Sequence, residues 1–184
     1  MRRAAIQMLT VVSLGATVAA QEADRYLLLA TTATGTMQRE IDEAAGRGYR
    51  VRAASRTEGA EVIVALEKTE ERYRYRLVAT TRTGTLQREL TEAAEAGYRV
   101  VSGAVTTKRS LGNVLSGPES RNEGELLIIM EKGPEAIPGL AYQVLAANRT
   151  GTLQKEMSQL AGRGYTLVAL SSRGEHVAIF ERHD

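Results

Sequence analysis

Thr83-Gly84-Thr85-Leu86-Gln87-Arg88-Glu89-Leu90 is the stretch on which the fold turns, because the chain writes it three times. Thr34-Gly35-Thr36-Met37-Gln38-Arg39-Glu40-Ile41 precedes it and Thr150-Gly151-Thr152-Leu153-Gln154-Lys155-Glu156-Met157 follows it. The spacings around each copy agree as well. A Gly-Tyr pair stands 14 residues after the first Thr, at Gly48-Tyr49, Gly97-Tyr98 and Gly164-Tyr165. A Tyr stands eight residues before it, at Tyr26, Tyr75 and Tyr142. Each copy closes on Glu and a base: Glu67-Lys68, Glu131-Lys132 and Glu181-Arg182. Self-similarity at several fixed offsets marks a repeated unit.

Each unit reads β-α-β-β. A Leu, Val and Thr-rich run opens it, at Tyr26 to Thr32, Tyr75 to Thr81 and Tyr142 to Asn148. A turn at Thr-Gly-Thr should lead into a helix from about Thr36 to Arg47 and its counterparts. Met37, Ile41, Ala44 and Ala45 recur at i, i+4, i+7 and i+8, one helical face. Leu86, Leu90, Ala93 and Ala94 repeat that face, as do Leu153, Met157, Leu160 and Ala161. The Gly of each Gly-Tyr pair sits where a helix ends on a positive φ. The Tyr then opens a second strand, and a hairpin leads to a third. The expected class is α+β: three tandem β-α-β-β repeats, antiparallel sheet with helices packed on one face. The units should span residues 25–68, 73–132 and 141–182. One unit alone has little core, so the sheets should pack around a shared centre, with approximate threefold symmetry as one solution. Phe180 is expected inside the last strand, with His183 and Asp184 frayed.

Composition restricts the function. The chain has 184 residues, 24 Lys+Arg and 22 Asp+Glu. Arg2 and Arg3 are the only charged residues before Glu22, so the remainder is balanced. That argues against nucleic-acid binding by bulk positive charge. The absence of Cys excludes disulfides, thiol catalysis and Cys-ligated zinc. Residues 1–20 read as a signal peptide: Arg2-Arg3, an uncharged stretch from Ala4, and Val18-Ala19-Ala20 before Gln21. That stretch is short for a membrane span. The expected mature protein is periplasmic or secreted, with no stable membrane span after cleavage.

The recurring polar set admits two explanations. A Gly turn before a helix N-terminus presents N–H groups to an anion, and Arg39, Arg88 and Lys155 could add charge. Thr34, Gly35, Thr83, Gly84, Thr150 and Gly151 would then form the ligand sites. The plainer account makes a Thr the N-cap, with Gln38 as the arm of a capping box. His176 and His183 are the only histidines and show no metal-ligand spacing. No cofactor or metal is implied. Glu40, Glu89 and Glu156 recur, as do Glu67, Glu131 and Glu181; triplication points to solvated positions rather than to catalytic acids. The six Tyr locked into the repeat read as packing residues with their hydroxyls at the surface.

One segment breaks the repeat. Tyr49 and Glu67 are 18 residues apart, but Tyr98 and Glu131 are 33 apart. The surplus is assigned to residues 106–123, a hairpin insertion. Its Lys108, Arg109, Leu111, Val114 and Leu115 form a candidate partner-binding loop, because long loops often carry function.

The order of strand, helix, Gly-aromatic pair and hairpin closing on a charged pair resembles a family of small bacterial β-α-β-β domains of unknown function. That family carries Gly-Trp where this chain carries Gly48-Tyr49, Gly97-Tyr98 and Gly164-Tyr165. The resemblance covers most of residues 25–182 and implies the fold without an active site. The sequence therefore favours an exported, non-enzymatic binding or structural module of unknown ligand and partner. The alternatives are an enzyme, hydrolase-like, with a site at a repeat junction, and a small-anion binder at the helix N-termini.

Overall fold

A computed structural model describes residues 25–57, 61–109, 124–135, 137–172 and 174–183. The signal-peptide assignment, residues 1–20, lies outside them. The described residues form three successive β-α-β-β stretches. The first is β1 (Tyr26–Thr31), α1 (Thr34–Gly46), β2 (Tyr49–Arg56) and β3 (Val62–Lys68). The second is β4 (Arg74–Thr80), α2 (Thr83–Glu95), β5 (Arg99–Arg109) and β6 (Gly124–Lys132). The third is β7 (Leu140–Ala147), α3 (Thr150–Gly162), β8 (Thr166–Ser172) and β9 (His176–His183). Each stretch makes its own antiparallel sheet, in the orders β1-β3-β2, β4-β6-β5 and β7-β9-β8. The class is α+β.

The helices begin two residues earlier than the sequence suggests, at the first Thr of each Thr-Gly-Thr. The N-cap residues are Ala33, Arg82 and Arg149, so the expected Thr caps and capping box are not formed. Part of the capping passes to the preceding strand: Thr31 and Thr80 Oγ1 accept from Ala33 and Arg82 N–H at 3.2 and 3.1 Å. The C-termini follow the expected chemistry. Gly48, Gly97 and Gly164 have φ of 84°, 84° and 83°. Tyr98 N–H donates to Ala93 O at 2.9 Å and Gly97 N–H to Ala94 O at 2.8 Å, a Schellman closure. Lys68 and Lys132 Nζ reach the helix ends, donating to Arg47 O and Ala96 O at 2.9 and 2.7 Å. These closing bases also lie over the Gly-Tyr rings, Lys68 over Tyr49 at 4.5 Å and Arg182 over Tyr165 at 5.0 Å.

Burial shows how the sheets stack. In β3 only alternate residues are buried, Val62, Val64 and Leu66. In β6 the run Leu126-Leu127-Ile128-Ile129-Met130 is buried throughout. The middle sheet is therefore covered on both faces and the first on one. The core clusters agree. Leu127, Ile129 and Tyr75, from the back of the second sheet, pack with α1 and the first sheet's helix-bearing face. Tyr142, Val177 and Ile179, from the back of the third, pack with α2 and the second sheet's front. The last cluster contains the third stretch alone. The packing is serial: no core cluster of the described residues joins all three sheets, so the expected shared centre is not formed. In the first two stretches the helix covers only part of its sheet's front, and the next sheet's back face takes the rest.

Phe180 is buried, as its place in β9 requires. His183 is not frayed: it pairs with Leu140 in the ladder, and its Nε2 lies 3.4 Å from Glu181 Oε1. Residues 106–109, at the start of the segment assigned to the insertion, are strand, with Thr106 to Arg109 opposite Leu127 to Gly124, and residues 110–123 lie outside the described residues. Part of the surplus widens the β5 irregularity, which runs from Val100 to Val105 where β2 needs only Val51 to Ala53.

Candidate functional site

Part of the recurring polar set, Gln38, Gln87, Tyr75, Tyr142 and Glu131, meets the neighbouring stretch at the two junctions between sheets. β4 and β7 are edge strands of their sheets, so each exposes unpaired backbone groups. Gln38 of α1 reaches across to β4. Its Nε2 donates to Tyr75 O at 3.1 Å, and its Oε1 accepts from Leu77 N–H at 2.9 Å. Gln87 of α2 does the same to β7: Nε2 to Tyr142 O at 2.9 Å and Val144 N–H to Oε1 at 2.8 Å. A side-chain amide presents the same donor and acceptor as a peptide group, so each Gln acts as one residue of an extra strand.

A second contact uses the β-bulges at Val51/Ala53 and Val100/Val105. A bulge leaves an amide off the ladder. Val51 N–H donates to Tyr75 Oη at 2.9 Å, and Val100 N–H to Tyr142 Oη at 2.7 Å. These hydroxyls are buried at the junctions rather than at the surface. Burial, the largest cause, pushes both well above tyrosine's ordinary value. A third contact is ionic. Arg50 grips Glu131 with Nη2–Oε1 at 2.6 Å and Nε–Oε2 at 3.1 Å, and its guanidinium lies 4.4 Å from the Tyr73 ring centre. The hydrogen bond to Glu131 raises the Arg50 pKa further. Glu131 is 3% exposed and Glu181 9%, so neither is the solvated strand-end acid expected from its repetition. Each closes its sheet's back face against the preceding stretch. Tyr142 Oη also donates to Glu181 Oε2 at 3.3 Å.

Beside the first junction lies a cleft of about 180 Å³. Arg50, Arg99, Glu131, Tyr73, Glu71 and Glu135 line it. The Tyr73 hydroxyl donates to the Glu71 carboxylate, and Arg99 Nε is buried without a hydrogen-bond partner. Unlike polar groups gather there: two guanidiniums, three carboxylates and a phenol.

The proposed anion sites are arranged differently. Thr34, Gly35, Thr83, Gly84, Thr150 and Gly151 form the first turns of their helices. Arg39 and Arg88 turn along the helix toward Glu43 and Glu92, at 3.9 and 3.7 Å. Thr83 Oγ1 donates to Glu175 Oε1 at 2.9 Å, which places the protein's own carboxylate at the α2 N-terminus. Lys155 is exposed on α3. Of the partner loop, Lys108 and Arg109 belong to β5, and Leu111, Val114 and Leu115 lie outside the described residues. The described residues contain no group of His, Cys, Asp and Glu able to hold a metal. No helix among them is long and apolar enough to cross a membrane.

The chain matches no known protein family, no curated protein and no solved structure. The junction chemistry is therefore the guide to function. Gln38 and Gln87 were visible as a recurrence, but their partners were not: the nearest such contact joins residues 37 apart. The signal in the sequence was that Gln and Tyr recur together at fixed spacing; a capping-box role accounted for the Gln until the helix N-termini showed no side-chain cap.

Proposed function

We propose that the protein is an exported, non-enzymatic binding or structural module made of three copies of one β-α-β-β unit stacked in series. One observation carries this reading. Part of the recurring polar chemistry is spent on joining consecutive units: Gln38 and Gln87 on the next edge strand, Val51 and Val100 N–H on the next Tyr, Arg50 on Glu131. Chemistry distributed evenly along a stack suits a scaffold with extended surfaces, as in other solenoid-like proteins. Export follows from the leader-like residues 1–20. The expected exported product starts at Gln21, and N-terminal sequencing of periplasmic or secreted material tests this. A product retaining Met1 in the membrane fraction would overturn it.

The cleft at the first junction favours one second reading, an enzyme using Arg50, Glu131 and Tyr73. A screen of ester, phosphate, glycoside and peptide substrates separates the two. On the module reading no turnover depends on Glu131. Turnover that disappears in Glu131→Gln while the melting curve persists would establish the enzyme. The anion reading is weaker, because Arg39, Arg88 and Thr83 are already engaged with carboxylates. Calorimetry with phosphate on Arg39→Gln, Arg88→Gln and Lys155→Gln together tests it directly.

A further inference from the structure

We infer that the two ends of the stack are the separated halves of one more junction, and that the partner they fit is a second copy of this chain, docked head to tail. The proposal rests on the unit reading above and extends it.

The leading end is the back face of the first sheet. Its positions match those that form the internal junctions. Tyr26 and Leu28 pair with Glu67 and Ala65 as Tyr75 and Leu77 pair with Glu131 and Ile129. Arg25 O accepts from Lys68 N–H, so by strand alternation the outer edge of β1 carries Tyr26 O and Leu28 N–H. Those are the two groups that a Gln takes up in β4 and β7.

The trailing end is the front of the third sheet beside α3. Gln154 stands where Gln38 and Gln87 stand. All three make the bond to the side chain four residues on, Gln154 to Ser158 Oγ at 3.3 Å. Among the described residues only Gln38 and Gln87 also hold a strand edge, and Gln154 is exposed. Ala161 is exposed where Ala45 and Ala94 are buried under the next stretch. Leu167 and Leu170 occupy the ladder positions of Val51/Ala54 and Val100/Val105, which the next sheet covers.

The apolar surface agrees. Four large hydrophobic side chains are exposed among the described residues: Tyr26 at 61%, Leu28 at 69%, Leu167 at 41% and Leu170 at 58%. Two belong to each end. Exposed apolar groups concentrated on two faces of known complementarity mark an interface.

The charges have changed together. Thr166 replaces the Arg found at Arg50 and Arg99. Glu67, which would face it, already holds Arg25 at 2.9 Å and Arg52 at 2.8 Å. Arg52 in turn stands where Val101 and Val168 stand, at the bulge. An incoming end without an Arg thus meets a carboxylate that needs none. A contact between different faces of identical chains is heterologous and gives rings or open filaments.

Sedimentation of the purified chain over roughly a hundredfold range of concentration should show mass rising with concentration. Leu28→Arg and Leu170→Arg should each be monomeric, with unchanged melting curves because both sites are exposed. Mixed in equal amounts they should form a dimer, since each retains the face the other has lost. Gln154→Ala should weaken association about thirtyfold through the loss of two hydrogen bonds. A wild-type chain monomeric throughout, or a single Arg variant that still self-associates, would overturn head-to-tail docking. If Gln87→Ala destabilises the monomer yet the chain never associates, only this inference fails. If Gln87→Ala changes nothing, the unit reading itself fails.

Discussion

Gln87 and Gln154 end the same five-residue run, Thr-Gly-Thr-Leu-Gln, and carry opposite burdens. Gln87 satisfies a backbone donor and acceptor on β7, and its removal leaves both without partners at a part-buried seam. Gln87→Ala should lower stability by about 2 kcal/mol, near the sum of two such bonds. Gln154→Ala in the dilute monomer should shift it by less than about 0.5 kcal/mol, as surface changes do. Urea denaturation of both variants checks the contrast. The junction tyrosines make a pH prediction. Burial raises the Tyr75 and Tyr142 values above those of the unfolded chain, so folding favours the protonated hydroxyl. That stability is complete below about pH 10, the unfolded value, and is lost as pH rises through the folded-state value. Melting temperature should fall above about pH 10, and the double variant Tyr75→Phe, Tyr142→Phe should lose much of this alkaline limb. Glu67 works in the opposite direction: its bonds to Arg25 and Arg52 hold its pKa below the usual carboxylate range. Its contribution is present above the unfolded value and fades as pH falls through the folded one.

Among the elements, the helices were the most legible. Their apolar faces and Gly ends were written in residues a turn apart, so 3.6-residue periodicity sufficed. Met37, Ile41, Ala44 and Ala45 are the buried residues of α1, as that periodicity requires. Their N-termini were less legible, because Thr31 and Thr80 cap from the preceding strand and leave Thr34 and Thr83 inside the first turn. In α3 the face is half used: Leu153 and Leu160 are buried and Met157 only partly, since no further sheet of the described residues lies over it. At the α2 C-terminus Gly97→Val should cost about 2 kcal/mol or more, as a β-branched residue is strained at φ 84°. A Cβ there would also come within 3.3 Å of Lys132 Cε and Nζ, disturbing the lysine that seals the helix. Gly97→Asn should be milder, because Asn tolerates that region. Equal melting temperatures for the two variants would contradict the left-handed closure.

At the scale of the molecule, stability is shared across the seams. The first and second core clusters each include residues of two stretches, so unfolding should be one cooperative transition despite the modular sequence. The β5–β6 ladder closes at Arg109 opposite Gly124. Deleting Leu111 to Pro118 should therefore leave the melting temperature unchanged, and loss of soluble protein would show that the loop supports the ladder. The sequence by itself determined the β-α-β-β order, the three-fold recurrence, the helix faces and the glycine ends. All of these rest on contacts within a few residues or on repetition along one line of text. Serial stacking, the burial of Glu131 and Glu181, the strand-edge role of Gln38 and Gln87 and, among the described residues, the exposure of Tyr26, Leu28, Leu167 and Leu170 were decided only by the tertiary structure. Those features depend on which faces meet across 37 or more residues, and identical local sequence gives identical local chemistry whether or not a neighbour is present. Only the packed chain distinguishes Gln87, which has a strand edge beside it, from Gln154, which has none among the described residues.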